Sequence, residues 1–147
     1  MADGLQRKPR PMSITYAISP VEHRVRAYAS GIIRADDLHP FLDELLADPA
    51  LAPGLRALYD ARFAEPEITI LQLAEVAAKV TRLVSRGIER IAIVGQSPNT
   101  LRVSKTFAVL ARALGIEVEV FTELGEAEVW LDTPKGDNAP GQKLLQP

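Results

Sequence analysis

The chain has 147 residues, 47% apolar and 24% charged, which is the composition of a globular domain and not of a disordered or fibrous chain. Its 17 basic and 19 acidic side chains leave a net charge of -2, so it has no general attraction for nucleic acid or an anionic membrane surface. With no cysteine, disulfides, thiolate metal sites and cysteine nucleophiles are excluded.

Residues 1–12 carry Arg7, Lys8 and Arg10 interleaved with Pro9 and Pro11 without a hydrophobic pattern, and are expected to be a disordered extension. Met12 precedes the first strand-like run and is an alternative start to Met1. The opening segment lacks the apolar stretch of a secretory signal. No apolar run approaches the roughly 20 residues that span a bilayer. A cytoplasmic location is therefore expected.

Ile14, Tyr16 and Ile18 alternate with Thr15, Ala17 and Ser19, a period-2 strand. After a turn at Pro20–Glu22, Val25, Ala27 and Ala29 alternate with Arg24, Arg26 and Tyr28, predicting an antiparallel hairpin with a partly wet Arg-bearing face. Gly31 is expected to end it. Asp36 or Asp37 can then cap a helix with the stripe Leu38, Phe41, Leu42, Leu45 and Leu46.

LRALYDA reads as a third strand, followed by a helix with Ile70, Leu73, Val76, Ala77, Val80 and Leu83 on one face. Gly87 stands where helices end. IAIVG is a continuous apolar run, as in a central parallel strand covered on both faces. A third helix has the stripe Leu101, Phe107, Leu110, Ala111 and Leu114, and Gly115 closes it. IEVEVF alternates Glu with Val, the pattern of a sheet edge. A last short helix holds Leu124, Ala127, Trp130 and Leu131, and residues 133–147 read as a flexible tail.

The predicted order is ββαβαβαβα. It implies one α/β domain over residues 13–132, with a five-stranded mixed, mostly parallel sheet and helices on both faces.

No catalytic constellation stands out. His23 and His39 lack the spacing of a metal pair, and no Gly-x-Ser-x-Gly elbow, P-loop or dinucleotide fingerprint occurs. In open α/β sheets ligands bind beyond the carboxyl ends of the strands, near a reversal of strand order. The loops expected there are Asp60–Thr69, Gly95–Thr100 and Thr122–Glu123. They supply the candidate edge: Asp60, Arg62, Thr69, Gln96, Ser97, Asn99 and Thr100, with Arg102 and Lys105 adding positive charge. Such a set would suit a small anion, phosphate or carboxylate. The competing reading is a plain strand-to-helix connection whose hydroxyls cap helices.

Four stretches carry a family likeness: the ITYAIS-turn-HRVRAYASG hairpin, LADPALAPGLRALYDAR, RIAIVG and GIEVEVFTELGEAEVWL. With these the chain resembles the SpoIIAA-like family, whose fold is related to the STAS domains of anti-sigma-factor antagonists, over about residues 13–132. The resemblance implies a non-enzymatic regulatory or protein-interaction module that presents the third-strand loop and the adjoining helix. It also implies a switch by phosphorylation of a Ser or Thr in an Asp-Ser-Ser/Thr-Gly-like turn.

The matching segment, Asp60–Ile70, has no Ser and no Gly. Thr69 is its candidate phospho-acceptor, and it also has the sequence context of an N-cap. Glu65 and Glu67 would repel a phosphate there. The alternative function is a small-molecule, anion or lipid-binding module using the sheet edge or a helix–sheet cleft. No cofactor is called for, and a homodimer through the hairpin or the fifth-strand edge is left open.

Overall fold

The computed structural model describes residues 13–134. Its strands are β1 (Ile14–Ser19), β2 (Arg24–Ile33), β3 (Arg56–Pro66), β4 (Ile91–Val94) and β5 (Val118–Phe121). Its helices are α1 (Ala35–Leu46), α2 (Ile70–Ser85), α3 (Pro98–Ala113) and α4 (Leu124–Leu131). The strands lie in chain order, with β1 antiparallel to β2 and every other pair parallel. This is the predicted mixed, mostly parallel sheet. The extension expected over 1–12, Met12 included, and the expected tail beyond Pro134 lie outside the described residues.

Chain-order pairing decides where the helices go. Right-handed crossovers that all step the same way put their helices on one face. Accordingly α1, α2 and α3 share a core with Ile33, Ile91, Ile93 and Val118. The other face has α4 alone, whose Ala127, Trp130 and Leu131 pack on Leu58, Ala92 and Val94. Helices thus cover both faces, unequally. Because the parallel strands never reverse order, the crevice that a reversal opens is not formed.

β2 and β3 outrun their predicted lengths. Gly31 does not end β2: it takes a left-handed φ of +74°, and the strand continues to Ile33. β3 runs eleven residues to Pro66, so Asp60 lies mid-strand and most of the expected Asp60–Thr69 loop is strand. The two support each other past the end of β4, after a register shift between Tyr28 and Ser30. Proline at the last strand position costs no internal ladder bond.

Helix details shift as well. Neither Asp36 nor Asp37 is the α1 N-cap, which is Arg34; Asp37 sits at the third helical position and its carboxylate accepts the Arg34 N–H at 2.8 Å. Ile70 is off the α2 stripe and 68% exposed. The α3 face turns inward on Thr100, Val103, Ser104, Phe107, Ala108 and Ala111, while Leu114 is exposed. Thr100 can face inward because its hydroxyl donates to the Ala64 carbonyl at 2.8 Å. Gly87 is required at the end of α2: its φ is +114°, and a Cβ would lie 2.2 Å from the Pro53 Cα.

The Arg-bearing face of the hairpin is not wet throughout. Arg24 is buried, bonded to Glu128 and Asp132 of the α4 end. Around it Arg26 Nε donates to Glu128 at 3.1 Å, Arg56 Nη1 to the Leu131 carbonyl at 2.7 Å, and Arg90 Nη1 to the Trp130 carbonyl at 3.0 Å. Four guanidinium groups from β2, β3 and the approach to β4 thus clasp the negative end of α4. At the opposite rim β5 is an edge strand, as predicted. Arg112 covers its outward Val118 carbonyl with bonds of 3.1 and 2.7 Å.

Candidate functional site

The candidate residues gather at the carboxyl ends of β3 and β4 but do not form one pocket. Asp60 and Arg62 form a pair on β3: Arg62 Nε and Nη2 each reach the carboxylate at 2.9 Å, and the Arg62 N–H adds a third bond at 3.1 Å. Burial alone would raise the Asp60 pKa, but the hydrogen bonds and charge of Arg62 outweigh it and hold the carboxyl below the usual range. The same guanidinium lies 5.6 Å from the centre of the Phe63 ring. Asp60 is therefore an ionised acid held by three hydrogen bonds from Arg62.

The β4–α3 turn is joinery. Ser97 caps α3, accepting the Thr100 N–H at 3.1 Å, and donates to the Thr100 hydroxyl at 2.8 Å. Pro98 occupies the first helical turn, as its fixed φ favours. Asn99 donates to Glu65 at 2.7 Å and to the Pro66 carbonyl at 3.1 Å, and accepts from Arg102. These atoms tie α3 to the end of β3. Gln96 and Lys105 are exposed.

Thr69 caps α2 in a reciprocal box: its hydroxyl accepts the Gln72 N–H at 3.1 Å, and its own N–H reaches the Gln72 side chain at 3.0 Å. The capping context seen in the sequence is realised. Directly after it stand Ile70 and Leu71, 68% and 72% exposed. Glu67 flanks them, paired with Arg34 at 3.1 Å. The apolar stripe expected for α2 includes Ile70 and does not include Leu71, yet both side chains face outward. Adjacency of two apolar residues is no signal of exposure by itself, since Val76 and Ala77 of the same helix are neighbours and both are buried.

Between the α1–α3 layer and the sheet, where the alternative function looks for a cleft, lies a cavity of about 130 Å³ lined by Phe41, Ala57, Tyr59, Ala61, Ser104 and Phe107 among others. Burial, with the nearby Asp37 carboxylate, pushes the Tyr59 hydroxyl well above the usual tyrosine value, so it stays protonated. Among the described residues no group of three or more His, Cys, Asp or Glu could hold a metal ion. No helix among them is long and apolar enough to cross a membrane.

Two solved structures share this fold. One is an uncharacterized protein of the DUF3478 family with a SpoIIAA-like fold from Shewanella loihica PV-4. It is 19% identical with a TM-score of 0.55, and the match covers 84% of this chain and 98% of that one. The other is an anti-sigma factor antagonist from Mycobacterium paratuberculosis, 18% identical with a TM-score of 0.53, over 83% of this chain and 97% of that one. A search of curated proteins finds no match. The family profile described as SpoIIAA-like matches residues 24–132, from the start of β2 to the end of α4. On that match, which spans most of the chain, the protein belongs to the SpoIIAA-like family.

Proposed function

We propose that this chain is a regulatory protein-interaction module that meets its partner with the corner formed by the end of β3 and the first turn of α2. The observation that carries the reading is the exposed pair Ile70 and Leu71 beside the Thr69 cap. Adjacent large apolar groups on a rigid helix end gain about 1.5–3 kcal/mol each when a partner buries them fully. That a protein of this fold is an anti-sigma factor antagonist supports a protein as the partner. The reading takes the chain to act in the cytoplasm. It places any self-association away from the Val118 carbonyl that Arg112 covers.

Phosphorylation is not part of the proposal. A phosphate on Thr69 would displace the Gln72 bond that caps α2 and add charge beside Glu67. The interaction is then set by the partner's concentration and not by a modified hydroxyl. The test is affinity capture from the native cell with quantitative mass spectrometry, comparing wild type with Ile70→Ser/Leu71→Ser. A protein depleted at least tenfold on the double variant, and retained by Val109→Ser, is the expected result. Identical partner profiles would overturn it.

A second reading, a small-molecule module, is favoured by the 130 Å³ cavity. The polar atoms that an anion would need at the β4–α3 turn are already engaged with β3, so this reading points to an apolar ligand inside the helix–sheet layer.

A further inference from the structure

Ala57 and Tyr59 lie in the first half of β3, with β2 paired on one side and β4 on the other. Helices lie above them, yet both keep accessible surface. The void is what touches them. An apolar cavity of about 150 Å³ stays dry and takes up benzene or xenon, and this one is of that order at 130 Å³.

Its wall is not purely apolar. Ser104 is 8% exposed and lines the void, as does Tyr59. Neither hydroxyl has a hydrogen-bonding partner among the described residues. The third polar residue of the wall, Thr100, is satisfied by Ser97 and by the Ala64 carbonyl. Both hydroxyls therefore keep accessible surface, since Arg24 Nε and Arg90 Nε are the fully enclosed polar side-chain atoms without a partner among the described residues, and two such hydroxyls on one void mark where a ligand's polar atom belongs.

Resting on the second reading above, we propose that the cavity binds a small, mostly apolar molecule carrying one hydrogen-bonding group, an aromatic or branched aliphatic alcohol or ketone. Its apolar body lies against Phe41 and Phe107, and its polar atom is served by the hydroxyl of Ser104 or Tyr59. A site that hydrogen-bonds a ligand's hydroxyl discriminates against the analogue lacking it far better than an apolar pocket discriminates by size.

The test is isothermal titration calorimetry of the full chain with phenol and with benzene. Wild type should bind phenol at least tenfold more tightly than benzene. Ser104→Ala or Tyr59→Phe should bring the ratio close to one while leaving benzene affinity unchanged. Ala61→Leu, which fills the void, should abolish both. Equal affinities in wild type would overturn the polar assignment while leaving an apolar site. No binding of either probe would overturn the cavity reading itself. The wild-type ratio needs no variant, so a substitution that fails to fold does not protect the proposal.

Discussion

Replacing Glu128 by alanine and replacing Arg24 by methionine break the same ion pair, yet the structure predicts unequal costs. The Arg24 side chain is 4% exposed, whereas Glu128 and Asp132 are 29% and 71% exposed. Glu128→Ala leaves a buried guanidinium held by Asp132 alone and also removes the bonds from Arg26 to Glu128, leaving Arg26 its pair with Glu22. Stranding a buried charge completely costs about 3–5 kcal/mol; with Asp132 still in reach we expect about 2–4 kcal/mol.

Arg24→Met instead leaves two carboxylates that water can reach. It refills the space of the arginine stem and removes an Nε–H that has no partner. That change should stay within about 1 kcal/mol. Added to Glu128→Ala, Arg24→Met should restore stability, because it removes the stranded charge. Urea unfolding with m-values checked for constancy reads all three. The reasoning is refuted if Arg24→Met costs as much as Glu128→Ala, or if the double variant is no more stable than Glu128→Ala.

The other expectations are simpler. The lowered pKa of Asp60 contributes stability above the unfolded value, about 3.9, that is lost as pH falls through the folded value. Wild type should therefore exceed Asp60→Asn in urea midpoint at pH 6, and the gap should close below about pH 4; a gap undiminished at pH 2 contradicts the pairing. Thr69→Ala should cost about 1 kcal/mol while Thr69→Ser stays within about 0.5 kcal/mol of wild type. Equal costs for the two would refute the hydroxyl cap. Ala57→Val adds methyl groups to a strand residue facing the void and should stabilise by roughly 1 kcal/mol in thermal unfolding. Destabilisation would mean that the space is not free.

Local signals were legible where local forces decide. The run IAIVG announced a strand buried on both faces, and Ile91–Val94 are all buried. Gly87, Gly115 and Thr69 were read from helix-end chemistry, which involves neighbours only. Features set by distant partners were not legible. Arg24 shares the period-2 face of Arg26, and what buries it is α4, about a hundred residues later in the chain. Gly31 and Pro66 look like breakers, yet β2 and β3 carry each other past both.

The candidate edge illustrates the same limit. Asn99, Ser97 and Thr100 were chosen as polar groups at a strand end, a position that suits ligands. Sequence does not show that Ala64, Glu65 and Pro66 come up beside them and take their hydrogen bonds. A helix–sheet cleft stands among the alternatives, but its position is not legible, since its apolar lining has the composition of a close-packed core.

The central claim is that the first turn of α2 is the contact surface, and site-specific photo-crosslinking in the native cell tests it most directly. A photoreactive residue at Leu71 should give one dominant adduct with a protein partner, lost when Ile70→Ser is added. The same group at Val109, 64% exposed on α3, should give none of that adduct. An adduct equally strong from Val109, or no adduct from Leu71, would contradict the account.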